Sequence, residues 1–322
     1  MKLLCIGDIH YSETPPCSRD EFYPRDILKK LVECISVAKK LKCDYILCTG
    51  DWFHRKADAT FHEANTLMKL LKMSPIPFRT IYGNHDVSGY AASTLFHKAL
   101  GSLITSGHME LLDTHPIDQD GLLVTGTSHN RMYDVSRAAY FKAEGQEDRY
   151  SLTVTHGALI LKDSGTFWGQ HTNMDHLREI KRPLHNIIFN GHTHHHQGVY
   201  KFKDRDCTIF SIGSLSRNIL KEDVAKRRPV VLFLDVKDEE FKYEEIELKS
   251  ARAFEDAFIL PEASRENEDT SIKDFVASLV NESGTFATLD DKEMIKSTIK
   301  KLGYTKETED RVLTYIDKGE TE

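Results

Sequence analysis

Short runs of β-branched, aromatic and other apolar residues recur along the chain, and helical periodicity separates some of them. Most runs span four to seven residues, the length of buried strands. They predict strands at residues 3–6, 45–48, 78–82, 122–124, 152–154, 187–189, 208–212 and 230–236. Apolar residues spaced three and four apart predict helices over residues 25–41 and 61–72. Together these elements predict an α/β fold with two mixed sheets flanked by helices.

Reactive side chains are concentrated where five of these predicted strands end. Because ligands gather at the carboxyl edge of strands in open α/β sheets, we expect these side chains to lie close together. Neighbouring glycines allow the tight turns that this arrangement needs. The five groups are Gly7-Asp8-Ile9-His10, Gly50-Asp51-Trp52-Phe53-His54, Gly83-Asn84-His85-Asp86, Thr155-His156-Gly157 and Asn190-Gly191-His192-Thr193-His194.

Seven side chains in these groups offer carboxylate, amide or imidazole donors to a metal ion. They are Asp8, His10, Asp51, Asn84, His156, His192 and His194. The absence of cysteine disfavours a closed structural zinc site, and mixed oxygen and nitrogen donors suit Mn, Fe, Zn or Co. Seven donors exceed the needs of one open catalytic ion but suffice for two if one carboxylate bridges them. Two ions about 3.5–4 Å apart can stabilise both the attacking and the leaving oxygen of a phosphate displacement.

Composition excludes some functional classes. The net charge of −7 belongs to residues 251–322, which contain 10 Lys and Arg against 17 Asp and Glu. No strongly basic stripe typical of nucleic-acid binding is present. The six cysteines form no C-x-x-C pair, which favours free thiols in a reducing cytoplasm. We therefore expect a cytoplasmic protein, with no membrane segment because no apolar run approaches about 18 residues.

The sequence changes character after residue 248. Residues 1–248 form the predicted catalytic domain, residues 249–270 are interpreted as a linker, and residues 271–322 regain helical periodicity. That C-terminal segment is too short to bury a core alone, which predicts that it docks on another surface. A glycine-rich loop at residues 163–175 contains Phe167 and Trp168. These aromatic rings could cover the site, plug the edge of the core or form a dimer contact.

The order of the motifs D-x-H, G-D, G-N-H-D, H and G-H-x-H over residues 1–236 resembles that of the calcineurin-like metallophosphoesterase superfamily. The resemblance implies a four-layer sandwich of two mixed sheets flanked by helices, here with a small helical C-terminal extension. It also implies two divalent ions, most often manganese, with Fe, Zn, Co or Mg as alternatives.

The same resemblance implies a division of the donors between the two ions, with Asp51 bridging both. His85 would be the general acid or transition-state stabiliser, held in place by Asp86. The ligands would be Asp8, His10, Asp51 and His194 for one ion, and Asp51, Asn84, His156 and His192 for the other.

The motif G-D-W-F-H at residues 50–54 is similar to that of SbcD-type DNA repair nucleases, and residues 212–217 resemble their glycine-serine segment. This resemblance implies that His54 positions the DNA phosphate. It also implies a homodimer and an SbcC-type coiled-coil ATPase partner, which residues 271–318 could bind unless they pack back on the catalytic domain. Tyr11-Ser12 departs from the Leu-Gly pair usual in that family. Only about 70 residues follow residue 248, so we expect the family's DNA-capping domain to be absent or vestigial here.

Two other functions are compatible with these motifs. A small-molecule phosphodiesterase for cyclic nucleotides, or a nucleotidase, would use identical site chemistry on the same fold. A non-catalytic scaffold is the third interpretation. It is disfavoured because scaffolds derived from enzymes lose ligands, whereas every ligand position is filled here.

Overall fold

A computed structural model describes residues 1–55, 59–89, 91–130, 137–161 and 171–259. Met1–Ile259 forms one compact unit, which is described below. Residues 260–270 of the predicted linker, the helical segment 271–322, and residues 163–170 of the aromatic loop lie outside the described residues.

Two six-stranded sheets form the body of this unit. Each contains four adjacent parallel strands, with antiparallel strands added at the edges. In spatial order, the first sheet comprises β14 (Glu240–Glu247), β13 (Val230–Lys237), β1 (Lys2–Ile6), β2 (Tyr45–Cys48), β3 (Phe78–Thr80) and β4 (Met109–Leu111). The second comprises β11 (Gly198–Lys201), β12 (Thr208–Ser211), β10 (Ile187–Asn190), β7 (Ser151–Thr155), β6 (Leu122–Thr127) and β5 (Ile117–Gln119). A short pair, β8 (Leu159–Ile160) and β9 (Thr172–Asn173), stands apart.

Helices flank the sheets. The helix α1 begins two residues before its predicted start because Pro24 fits the first turn, where no main-chain donor is needed. The helix α2 has its predicted bounds and begins with a capping box between Thr60 and Glu63. The helices are α1 (Tyr23–Leu41), α2 (Phe61–Lys72), α3 (Ala99–Thr105), α4 (Met174–Glu179), α5 (Glu222–Ala225) and α6 (Phe254–Ala257), with 3₁₀ turns at Ala92–His97 and Ala138–Tyr140.

Alternation along the central strands separates the cores of the layers. On β1, Leu4 and Ile6 pack in the core shared with α1 and α2, whereas Leu3 and Cys5 pack between the two sheets. Burial on both faces explains why the strand is an uninterrupted apolar run.

The second sheet repeats this division of its two faces. Ile187 and Phe189 point into the core between the sheets, and Ile188 lies in a third core with Leu177 of α4. The result is the predicted α/β class, with two mixed sheets flanked by helices. The short strands β4, β5 and β11 were not predicted, because three or four residues at a sheet edge carry too little periodicity.

The first residues of the predicted linker pack within the compact unit. Arg252 forms ion pairs with Asp20 and Asp26 beside the start of α1. Phe258 is 6% exposed and lies under the guanidinium of Arg19. Residues 249–259 therefore extend the unit beyond the boundary predicted at residue 248. In the described ranges, no helix combines the length and apolar character needed to cross a bilayer.

His185 gives this unit a predicted sensitivity to acid. The side chain is 5% exposed, its Nδ1 lies 3.0 Å from Ser151 Oγ, and burial lowers its pKa to about 4. The unfolded chain binds this proton near the ordinary pKa, so stability contributed by neutral His185 is lost as pH falls from about 6.5 towards 4. We expect His185→Asn to flatten the pH dependence of the unfolding free energy there by up to about 1.4 kcal/mol per pH unit.

Urea denaturation at about pH 7 and about pH 5, with metal content held constant, measures this effect. The exposed His115 provides the matched control, since His115→Asn should leave the slope of the unfolding free energy against pH as in the wild type. An unchanged slope in His185→Asn would contradict the prediction.

Candidate metal centre

The two sheets deliver the predicted donors from facing edges. In the first sheet, Asp8 and His10 follow β1, Asp51 follows β2, and Asn84 follows β3. In the second, His156 follows β7, and His192 and His194 follow β10. All seven predicted ligands therefore reach one region, where the carboxyl ends of these strands meet.

Three of these residues have an unusual backbone conformation. The φ angles of His10, Asp51 and His192 are 49°, 46° and 69°, in the left-handed region that non-glycine residues rarely adopt. The carbonyl of Asp51 accepts hydrogen bonds from the N–H groups of Ile9 (3.1 Å) and His10 (2.7 Å), which hold these turns together. Strained backbone at three clustered polar residues is typical of a functional site.

Two glycines let the main chain approach the donors. A Cβ atom on Gly83 would collide with the carboxylate of Asp51 and would lie 2.6 Å from His156 Cε1. A Cβ on Gly191 would lie 2.5 Å from Asp8 Oδ1. A side chain at either position would displace a predicted ligand, which explains the glycines in the G-N-H-D and G-H-x-H motifs.

One group of donors surrounds His10. The ligand atoms of Asp8, His10, Asp51 and His194 all lie within 4.8 Å of one another. His10 Nε2 is 2.9 Å from His194 Nε2 and 3.4 Å from Asp51 Oδ2. His194 Nε2 is 4.0 Å from Asp8 Oδ2. These four residues are the set predicted for the first ion.

A second group of donors surrounds Asn84. Its Oδ1 lies 3.1 Å from both His156 Nε2 and His192 Nδ1, and those two nitrogens are 3.3 Å apart. Asp51 Oδ2 is 3.5 Å from His156 Nε2, so the same oxygen is close to both groups. Asp51 is therefore placed where a bridging ligand would be.

Surrounding hydrogen bonds fix the orientation of these donors. Asp8 Oδ1 accepts from Thr49 Oγ1 (2.5 Å), and its Oδ2 accepts from the main-chain N–H of His192 (2.8 Å). His156 Nδ1 donates to the carbonyl of Thr49 (2.8 Å), which leaves Nε2 as its ligand atom. Such outer contacts orient ligands and tune metal sites.

The chemistry of the cluster fits divalent cations. Burial raises the pKa of Asp8 to about 6, lowers that of His194 to about 3, and lowers the pKa values of His10 and His192 well below the ordinary value. The imidazoles of His10, His192 and His194 are thus neutral at pH 7, with lone pairs to donate, and a bound cation would stabilise the buried carboxylates. Donor separations near 3 Å also suit neighbouring ligands at metal bonds of about 2.0–2.2 Å.

His85 and His54 lie beside the cluster as a pair. Their rings stack with centroids 6.0 Å apart and an interplanar angle of 19°, and their ligand nitrogens lie within 4.8 Å of that of His10. His85 Nδ1 donates to the main-chain carbonyl of His54 at 2.5 Å, and the His85 N–H donates to Asp51 Oδ1 at 2.8 Å. Both predicted catalytic histidines therefore border the donors.

Asp86, which was predicted to hold the His85 ring, is hydrogen-bonded to the main chain. Its two oxygens accept hydrogen bonds from the N–H groups of Trp52 (3.1 Å) and Gly83 (2.9 Å). Its carboxyl group lies beneath these turns, and burial raises its pKa well above the ordinary value. Asp86 therefore shapes the loop, whereas the His54 carbonyl orients His85.

His129 is a histidine at the site that sequence analysis missed. It is 8% exposed, stacks on His192 with centroids 6.0 Å apart, and meets the edge of His156 at 5.8 Å. It follows β6 as the other site histidines follow their strands, so the strand-end rule could have identified it. It was missed because the predicted strand ended at Val124, five residues before His129, whereas β6 extends to Thr127.

Comparisons with known proteins agree with this geometry. The family model described as calcineurin-like phosphoesterase matches residues 1–196. A curated protein from Psychrobacter arcticus, named as a probable cyclic nucleotide phosphodiesterase, is 25% identical over 234 residues, covering 62% of this chain and 77% of that protein. The crystal structure of a dimetal phosphatase from Danio rerio is similar in fold, with a TM-score of 0.50 at 10% identity over 77% of this chain and 96% of that one. The chain belongs to the calcineurin-like phosphoesterase family.

Proposed function

We propose that this chain hydrolyses phosphodiester bonds with two divalent cations and that its substrate is DNA. The convergence of seven donors in two groups, with Asp51 Oδ2 within 3.5 Å of both His10 Nε2 and His156 Nε2, carries the hydrolase proposal. When bound, the ions would lower the pKa of coordinated water and neutralise charge on the phosphate.

His85 supplies the proton for the leaving oxygen. A carbonyl oxygen can only accept a hydrogen bond, so the contact with His54 requires the proton on His85 Nδ1. The Nε2 atom is then the nitrogen that exchanges a proton with the substrate. When the ring is protonated, Nε2–H can donate to the departing alkoxide, which is poorly stable in water without that proton.

The environment of His54 suits a residue that positions a phosphate oxygen of the substrate. Burial lowers the pKa of His54 to about 4, so the ring is neutral at pH 7. Asn218 Nδ2 lies 3.4 Å from His54 Nδ1 and can only donate, which places the ring proton on Nε2. The ring thus offers an N–H donor beside His85, as expected for a residue that positions a phosphate oxygen. The proposal that this phosphate belongs to DNA rests on the resemblance of the G-D-W-F-H motif to SbcD-type nucleases.

Hydrolysis of a cyclic nucleotide is the second candidate, because the curated relative from Psychrobacter arcticus is named as a probable enzyme of that kind. The metal ligands and the general acid of that reaction would be the same as those proposed for DNA hydrolysis. Manganese as the native metal, a homodimer and an SbcC-type ATPase partner are further proposals from the sequence resemblance. The residues proposed to bind the ATPase lie outside the described part of the chain.

Substrate preference separates the two candidates. With manganese present, we expect the protein to degrade linear duplex or single-stranded DNA with a higher kcat/KM than it shows for 3′,5′-cyclic AMP. Release of acid-soluble nucleotides and chromatography of the cyclic nucleotide measure both reactions on one preparation. Hydrolysis of the cyclic nucleotide without any DNA cleavage would contradict the DNA proposal and support the alternative.

The proton-donor role of His85 predicts a dependence on the leaving group. His85→Asn should lower kcat on nucleotide diesters by about 10²–10⁴-fold, because the alkoxide leaves without a proton. On a p-nitrophenyl phosphodiester the loss of kcat should be much smaller, since the p-nitrophenolate leaving group is stable without a proton. The metal content of the variant, measured by elemental analysis, should equal that of the wild type. Equal losses on both substrates would show that His85 does not act as the acid.

A further inference from the structure

A polar cleft lies directly beside His85. Its cavity volume is about 50 Å³. Phe53 forms part of the wall, and the polar groups that line it are Arg55, His85, Asp86, His97 and Lys98. None of the seven predicted metal ligands lines this cleft, so it is a neighbour of the metal centre and not a part of it.

The cleft is positively charged at neutral pH. Arg55 is exposed and Lys98 is half-buried, and both carry full positive charges. Asp86 is the acidic residue of the lining. Its oxygens accept hydrogen bonds from the main-chain N–H groups of Trp52 and Gly83, and the two cationic side chains outnumber this one carboxylate. A small space with two cations is suited to a phosphate group.

We propose that this cleft is the subsite for the leaving part of the substrate and binds its next phosphate through Arg55 and Lys98. The inference rests on the proposed phosphodiester hydrolysis. The residue that protonates the leaving oxygen must lie within hydrogen-bond reach of it, so the group attached to that oxygen begins beside His85. The cleft also begins beside His85, so a chain that continues beyond the leaving oxygen enters it.

This subsite discriminates between substrate classes. In an oligonucleotide, the leaving nucleoside carries another phosphate one residue further along the chain, where the two cations can bind it. A 3′,5′-cyclic nucleotide has a single phosphate, and its leaving oxygen stays on the same ribose. Arg55 and Lys98 therefore favour oligonucleotides over cyclic nucleotides, and they lie outside the motifs shared across the superfamily.

Three thymidine dinucleotides test this subsite for either polarity of cleavage. One has no terminal phosphate, one has a 5′-terminal phosphate, and one has a 3′-terminal phosphate. In either polarity, only one of the phosphorylated compounds has its extra phosphate on the leaving nucleoside. We expect that compound to be cleaved with a kcat/KM about 10-fold or more above that of the unphosphorylated dinucleotide.

The double variant Arg55→Gln/Lys98→Gln should bring this ratio close to one. The control is Lys39→Gln/Lys40→Gln, which removes the same charge from the exposed last turn of α1. The control should keep the wild-type ratio. An undiminished ratio in the cleft variant, or a wild-type ratio near one for both phosphorylated compounds, would overturn the proposal. If the metal-loaded protein hydrolysed none of the three dinucleotides, that result would instead contradict the proposed function itself.

Discussion

The position of the Asp51 carboxylate is the constraint on which the rest of the site depends. Its Oδ2 lies 3.4 Å from His10 Nε2 and 3.5 Å from His156 Nε2, so it joins the donors of one sheet to those of the other. Its Oδ1 accepts the N–H of His85, which ties the proposed general acid to the same side chain. Because Asp51 adopts a left-handed conformation, its carbonyl can also anchor the turn after β1.

Burial makes this arrangement costly unless cations are bound. Asp8 and Asp51 are each 1% exposed, and His10 is fully buried beside them. Carboxylates in such surroundings lose hydration, and burial raises the pKa of Asp8 to about 6. Divalent ions would offset this loss. Metal binding would therefore contribute to the stability of the turns, as in other sites assembled only on folding.

Much of this arrangement can be predicted from sequence because it depends on local rules. Buried parallel strands are apolar runs, and their carboxyl ends meet, so residues such as Asp8, Asn84 and His192 could be grouped without a structure. The hydrogen-bond partners of Asp86 could not be predicted from sequence. Whether its carboxylate binds a side chain or two main-chain N–H groups depends on the geometry of the loop. Lys98 was missed for a similar reason: it is a single basic residue before a short helix, and only tertiary packing brings it close to His85.

The metal centre and the substrate preference arise from different parts of the structure. The donors follow central strands, where the fold leaves little freedom. His54, Arg55 and Lys98 lie in loops around the centre, where sequence can vary without disturbing the sheets. The fold and its strand-end donors are thus those of the phosphoesterase family, while our proposal assigns the choice of phosphate ester to these surrounding residues.

Anomalous diffraction from crystals grown with manganese tests the central claim most directly. The account predicts two anomalous peaks per chain, about 3.5–4 Å apart, with the Asp51 carboxylate between them. One peak should contact Asp8, His10 and His194, and the other should contact Asn84, His156 and His192. A single peak, or a pair that Asp51 does not bridge, in correctly folded and fully loaded protein would contradict it.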